Sequence, residues 1–520
     1  MRKLRWLFIL GIFLPSPLLG QGPPDSDVLA RIRQEGLQRS QVMDLAWYLT
    51  DVLGPRVTGS EAMRRAQEWL LAHMGEMGLS AHSESIGEVG PSWDNQFTSI
   101  HMTSPRYQRL IGYPYAFSRS TDGRERAEVK VVSIQSAEDF GEYAGTLRGA
   151  AVLNSPPVPM EPNFLPDASR FTDAELREMD EAVIGTEYGV GDTVFFWDSI
   201  GMLFREVGSE PWRPGFAPAL QRFLLDEGVA VVLAPGDGRD GTVRVDERPG
   251  SRYDRSVESI MGSPPMVALA AEHYNQLFRL ASRGIPTEVE VEIRNRIGPD
   301  PVEGFNLIGE LPGSDLRDES VMVGAHLDSW HAGTGAVDDA VGVAVILEAV
   351  RILQEVGAPL RRTIRVAFFT YEEGGKVGSR AYVKRHFLDA DGSPTSAHGQ
   401  VSAYFNMDHG TGRFRGLHLQ GNERARSILS DWIAPFSDLG INTVTVNNAF
   451  GLDVIAFDMV GIPAFHFFQD PLDYWARPYH SNMDVFDRLV PEDLRVNSVV
   501  LAGILYQAAN ADGMVPREIK

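Results

Sequence analysis

The 520-residue chain sets 70 Asp and Glu against 48 Lys and Arg, a formal net charge of −22, and it has no cysteine. So negative a field, with no basic stripe to offset it, argues against a nucleic-acid partner. The missing thiols exclude disulfides and a lipid-anchored cysteine end, leaving stability to the core or to metal. A composition of 43% hydrophobic and 23% charged residues is globular, and the length suits two or three domains.

In chain order, the start "MRKLRWLFILGIFLPSPLLGQGPP" carries Arg2, Lys3 and Arg5 ahead of an apolar run broken by Pro15 and Pro17. The run is too short for a bilayer span and reads as a signal peptide over residues 1–20, directing export to the periplasm or the medium. No later stretch has the length of a membrane span. Within 25–124, "GSEAMRRAQEWLLAHMGEMGL" puts Ala66, Trp69, Leu70, Met74 and Met77 on one helical face, with Ser60 as N-cap and Gly78 as the stop. From 125 to 292 short β-rich runs take over: "AEVKVVSI", "LRGAAVLN", "GVAVVLA" and "TEVEVEIRN". The Pro-rich interval from Ser155 to Pro218 is long for a loop and reads as a functional segment or lid.

The last part, 293–512, alternates apolar runs with amphipathic helices: "VMVGAH", "TIRVAFFTYEE", "VSAYFNMD" and "GIPAFHFF" interleave with segments such as "AVGVAVILEAVRIL". That pattern predicts an α/β fold, a mainly parallel sheet covered by helices on both faces. In such sheets ligands bind in the crevice outside the carboxyl ends of the strands. His326 stands where the first run ends, Glu372 and Glu373 where the second ends, and Asp408 at the end of the third. Asp338 and Asp339 follow a glycine-rich loop just before a helix. "GTGAVDDAVG" lacks the lysine and spacing of a phosphate loop.

Each motif alone has a plain reading: a helix N-cap for the Asp pair, surface charge for the Glu pair, a turn for Asp408. Their shared place at one sheet edge points to metal. Carboxylates crowded together repel one another and take up protons, and a cation removes that cost. Imidazole with carboxylate and no thiol suits zinc, with manganese or cobalt as substitutes. His326, Asp338, Glu373, Asp408 and a later histidine make five ligands, enough for two ions if Asp338 bridges. His480, in "RPYHSNMDVFDRL", is the best candidate for that histidine.

"GAHLDSW…GTGAVDD", "FFTYEEGGKVGSRAYV", "FNMDHGTG" and "QDPLDYWARPYHSNMDVFDRL" resemble the di-zinc exopeptidase family of bacterial zinc aminopeptidases and carboxypeptidase Q (plasma glutamate carboxypeptidase). The likeness runs over roughly 303–510 and more weakly over "LTDVLGPRVTGSEAMRRAQEWL". The middle part, 125–292, resembles an inserted β-rich protease-associated domain through "YAGTLRGAAVLN", "LLDEGVAVVLA" and "PPMVALAAEHYNQL". The resemblance implies that His326 and Asp408 hold one zinc, Glu373 and His480 the other, and that Asp338 bridges. It makes Glu372 the general base, Tyr479 an oxyanion donor and Asp328 the residue that orients His326. Ala340 and Val341 replace the family's glycine after the Asp pair, and Val454 stands where a histidine is usual.

The implied activity is zinc-dependent hydrolysis of short peptides or dipeptides from the end with a free amine, through a metal-bridging hydroxide. Two other readings stand beside it: a silent peptidase-like binding protein, and a glutaminyl cyclase-like acyltransferase with one zinc. The complete ligand set disfavours both. A homodimer is a possible assembly.

Overall fold

The computed structural model describes residues 26–183, 193–198, 201–206, 216–249 and 254–518. The expected signal peptide, and part of the 155–218 interval, lie outside the described residues.

Helices α1 (Ser26–Gln38) and α2 (Glu61–Glu76) precede the sheet. The Ser60 hydroxyl caps α2 by accepting from Met63 N at 3.1 Å, and Gly78 takes φ +80 just past its end. Met63, Ala66, Leu70 and Met74 are buried, while Trp69 is half-buried and stacks on Tyr48.

The strands are β1 (Ser80–Ser104), β2 (Arg124–Val131), β3 (Ala151–Leu153), β4 (Val231–Pro235), β5 (Met266–Leu269), β6 (Glu288–Leu311) and β7 (Leu316–His326). Helix α3 (Asp173–Asp180) lies between β3 and β4. After β7 come α4 (Val341–Glu355), β8 (Arg362–Phe369), α5 (Val377–Phe387), β9 (Val401–Asn406), β10 (Phe414–His418), β11 (Thr443–Thr445), β12 (Ala464–Gln469) and α6 (Pro491–Asn510).

Two parallel blocks make up the sheet. One runs β8–β7–β9–β12, and β10 joins its edge antiparallel to β12. The other runs β2–β3–β4–β5. Strand β6 unites them: its first residues pair antiparallel with β2 and its last with β8, while β1 lies against it for most of its length. "TEVEVEIRN" is therefore the opening of a longer strand. Val289, Val291 and Ile293 face the core beneath the second block, and Leu307 and Ile308 face the core of the first. The expected boundary at 292/293 falls inside this continuous strand.

Side chains of the first block alternate between two cores, as the strand period requires. Val321, Val323 and Ala325 pack with α1, α4 and α6, whereas Met322 packs with Tyr382, Phe387 and Tyr404 on the opposite face. Gly324 occurs where no side chain fits: a Cβ there would lie 2.7 Å from Tyr404 Oη and 2.8 Å from the Ala367 carbonyl oxygen. The strands are buried on both sides, and their carboxyl ends open onto one crevice. No helix of the described residues is long and apolar enough to cross a membrane.

Candidate metal centre

His326 ends β7, Glu372 and Glu373 follow β8, Asp408 follows β9, and His480 lies in the loop after β12. Asp338 sits between the glycine loop and α4. The structure brings all five expected ligands together as two trios that share Asp338. His326, Asp338 and Asp408 form one, and Asp338, Glu373 and His480 the other, with ligand atoms within 4.8 Å of one another in each. His326 Nε2 is 3.0 Å from Asp338 Oδ1 and 3.7 Å from Asp408 Oδ2. His480 Nε2 is 3.1 Å from Glu373 Oε2 and 3.7 Å from Asp338 Oδ2. Each oxygen of Asp338 thus faces a different imidazole.

The proton positions follow from the outer partners. His326 Nδ1 lies 2.9 Å from the main-chain carbonyl of Asp328, which can only accept, so Nδ1 carries the hydrogen. Nε2 then turns its lone pair toward two carboxylates. His480 repeats the pattern, with Nδ1 2.7 Å from Asp246 Oδ1. Lone pairs and carboxylate oxygens pointed at one another need a cation or extra protons between them. Glu373 Oε1 is buried without a hydrogen-bond partner, a further unsatisfied acceptor. Two imidazoles and three carboxylates fit zinc, and with Asp338 shared they fit two ions.

The electrostatics agree. Burial, reinforced by neighbouring acids, pushes Asp408 and Glu373 each up to about 8 against the opposing pull of the histidines. Burial would lower His326 and His480, but their carboxylate partners raise both well above the usual imidazole value. Without metal this cluster therefore retains protons that a dication would displace.

Asp328 lies beside His326 and bonds it through its main chain. Its carbonyl, not its carboxylate, bonds His326; Oδ1 is 3.7 Å from Nδ1. The carboxylate instead accepts from Thr58 Oγ1 at 2.9 Å and from Glu372 N at 3.2 Å, tying the His326 loop to the loop of the two glutamates. Glu372 belongs to neither trio, and Lys376 Nζ lies 3.2 Å from its carboxylate. The Tyr479 ring stacks on His480 with centroids 3.8 Å apart. Asp339 accepts from Gly342 N at 3.0 Å, so one member of the Asp pair serves the helix start and the other the site; both are buried.

Three residues escaped the sequence reading. Tyr474 donates to Asp338 Oδ2 at 2.9 Å. Arg56, fully buried, donates to the carbonyls of Leu327, Thr334 and Gly335 at 2.7, 3.0 and 2.8 Å and pins the glycine loop. Asp246 belongs to the middle segment. Nothing in their local sequence marks them, because each acts across a long chain separation. Backbone strain gathers here too: Tyr371, Lys376, His409 and His480 have φ of 67, 61, 67 and 52.

Residues 306–504 match the profile of Peptidase family M28. Carboxypeptidase Q of Rattus norvegicus is 26% identical over 474 residues, covering 90% of this chain and 85% of that protein. A crystal structure of a Peptidase M28 precursor from Shewanella amazonensis aligns with a TM-score of 0.66 at 21% identity, over 95% of this chain and 99% of that one. BSAP, a zinc aminopeptidase from Bacillus subtilis, aligns with a TM-score of 0.54 at 16% identity, over 91% and 98%. These structural likenesses concern the fold.

Proposed function

We propose, from the match of residues 306–504 to Peptidase family M28, that the chain is a zinc-dependent exopeptidase of the carboxypeptidase Q kind, acting on short peptides or dipeptides. The observation that carries this reading is the pair of ligand trios sharing Asp338. His326 and Asp408 would hold one zinc, Glu373 and His480 the other, and Asp338 both. Zinc held there would polarise a scissile carbonyl and make water acidic enough to attack near neutral pH.

The chain's own groups supply the rest. Glu372, held through its main-chain N–H by Asp328, accepts the proton of the attacking water and returns it to the leaving amine. Tyr479, fixed against His480 by stacking, donates to the developing oxyanion. Tyr474 holds Asp338 in its shared orientation.

Beside the metal centre lies a cavity of about 220 Å³, lined by Phe171, Met179, His409, Phe450, Phe468 and Trp475 among others. Tyr474 also lines it, so it abuts the ligand shell. Burial lowers its histidines His409 and His418, each to about 4, and His466, so all three are neutral at pH 7. An uncharged, aromatic-walled cavity of this size suits an apolar side chain next to the scissile bond. Phe171 and Met179 come from the described part of the Pro-rich interval at α3, which supports a roof role for that helix.

The test is a panel of free and N-blocked dipeptides with the chelated and zinc-restored enzyme. Activity that returns with zinc, favours apolar residues and requires a free amine is expected. Equal cleavage of blocked and free substrates would reject the open-amine part, and pyroglutamyl product would favour the cyclase reading.

A further inference from the structure

The middle segment reaches into the metal centre. Val243 to Asp246 lies antiparallel beside the His480 loop: Val245 N donates to the His480 carbonyl at 2.9 Å, and Arg244 bridges Ser481. Val243 N donates to Asn482 Oδ1 at 2.7 Å, and Asn482 N returns a bond to the Val243 carbonyl at 3.2 Å. These contacts hold His480 at its left-handed φ of 52, which a non-glycine residue does not adopt cheaply. At the end of this clamp the Asp246 carboxylate meets His480 Nδ1 at 2.7 Å, although 234 positions separate the two.

Resting on the metallopeptidase reading, we propose that Asp246 is a positioning residue for the zinc held by Glu373 and His480, so that the middle segment completes half of the metal centre. The carboxylate accepts the Nδ1 hydrogen. That leaves Nε2 bare toward Glu373 and Asp338 and prevents the ring from flipping or taking the other tautomer. Tyr479 stacks on the ring and Trp330 meets it in a T-shaped contact, and both limit its tilt. The other trio obtains the same service locally, from the Asp328 carbonyl. Among the described residues, the two imidazoles are therefore oriented by different parts of the chain, and the middle segment serves the one at His480.

Zinc affinity, read without substrate, tests this. The wild-type chain, Asp246→Ala and Asp246→Asn are equilibrated with graded chelator and their zinc per chain is measured. Asp246 is 57% exposed, so its replacement leaves the core intact. Outer partners of this kind are worth about 10–100-fold in metal affinity. Asp246→Ala is expected to release one zinc at about 10–100-fold lower chelator strength and keep the other as wild type does. Asp246→Asn, whose amide oxygen still accepts, is expected to recover most of the loss. His480→Ala should lose that same equivalent outright. Wild-type affinity in Asp246→Ala, equal weakening of both zincs, or no recovery in Asp246→Asn would overturn the proposal. A wild-type chain that takes up no zinc would overturn the metallopeptidase reading and this proposal with it.

Discussion

Glu372 and Glu373 are neighbours with different company. Glu373 faces His480 across 3.1 Å, whereas Glu372 sits by Lys376 with its main chain bonded to Asp328. Removing Glu372 therefore spares the ligand shell. Glu372→Ala is expected to retain its zinc by elemental analysis while kcat falls by about 10²–10⁴-fold, the usual contribution of a general base; undiminished turnover would end that role. A second acid has consequences for stability. Asp453 is raised to about 8, first by burial and then by the nearby Glu372 carboxylate. A carboxyl raised in the folded state binds its proton more tightly there than in the unfolded chain. Its stabilising contribution is complete below about pH 4, the ordinary carboxylate range, and fades as pH climbs through about 8. Asp453→Asn should accordingly gain Tm relative to wild type at pH 9 and not at pH 5. A Tm difference independent of pH would contradict the placement of this acid.

At the level of elements, strands buried on both faces explain why so much was legible. Near-continuous apolar runs located β7, β8, β9 and β12, and the polar residue ending each run fell at the sheet's carboxyl edge because strand direction dictates it. The helix of 61–76 was equally plain, since Ser60 and the 3.6-residue stripe are local signals. Arg56 and Tyr474 were not legible, because each depends on which carbonyl or carboxylate a distant segment presents. The choice of Glu373 as ligand over Glu372 came from family likeness, not spacing. Close packing of the strand that delivers His326 gives a direct check. Gly324→Ala would press a methyl against the Ala367 carbonyl oxygen, which as main chain of β8 cannot step aside. A loss of about 1–3 kcal/mol is expected in denaturant titrations, typical of overpacking, together with weaker zinc retention as His326 shifts. A neutral effect on both would show that β7 has slack the structure does not contain.

In the whole molecule, β6 makes one sheet of two parallel blocks, and the expected division into an outer peptidase and an inserted middle part crosses it. Composition could reveal the change in character near residue 125 but not that a single strand would serve both blocks, because alternation continues through Val289, Val291 and Ile293 on one side and Leu307 on the other. The same architecture lets the middle segment touch His480, so the metal centre is a property of the full chain. On the proposed function, five side chains spread along that chain grip two cations through a shared Asp338. Anomalous diffraction at the zinc edge, from crystals of the zinc-loaded protein, reads this directly. The expected map has two peaks flanking Asp338, one about 2.0–2.2 Å from His326 Nε2 and an Asp408 oxygen, the other at like distance from His480 Nε2 and Glu373. A map with no peak at Asp338, or with zinc bound only elsewhere, would contradict it.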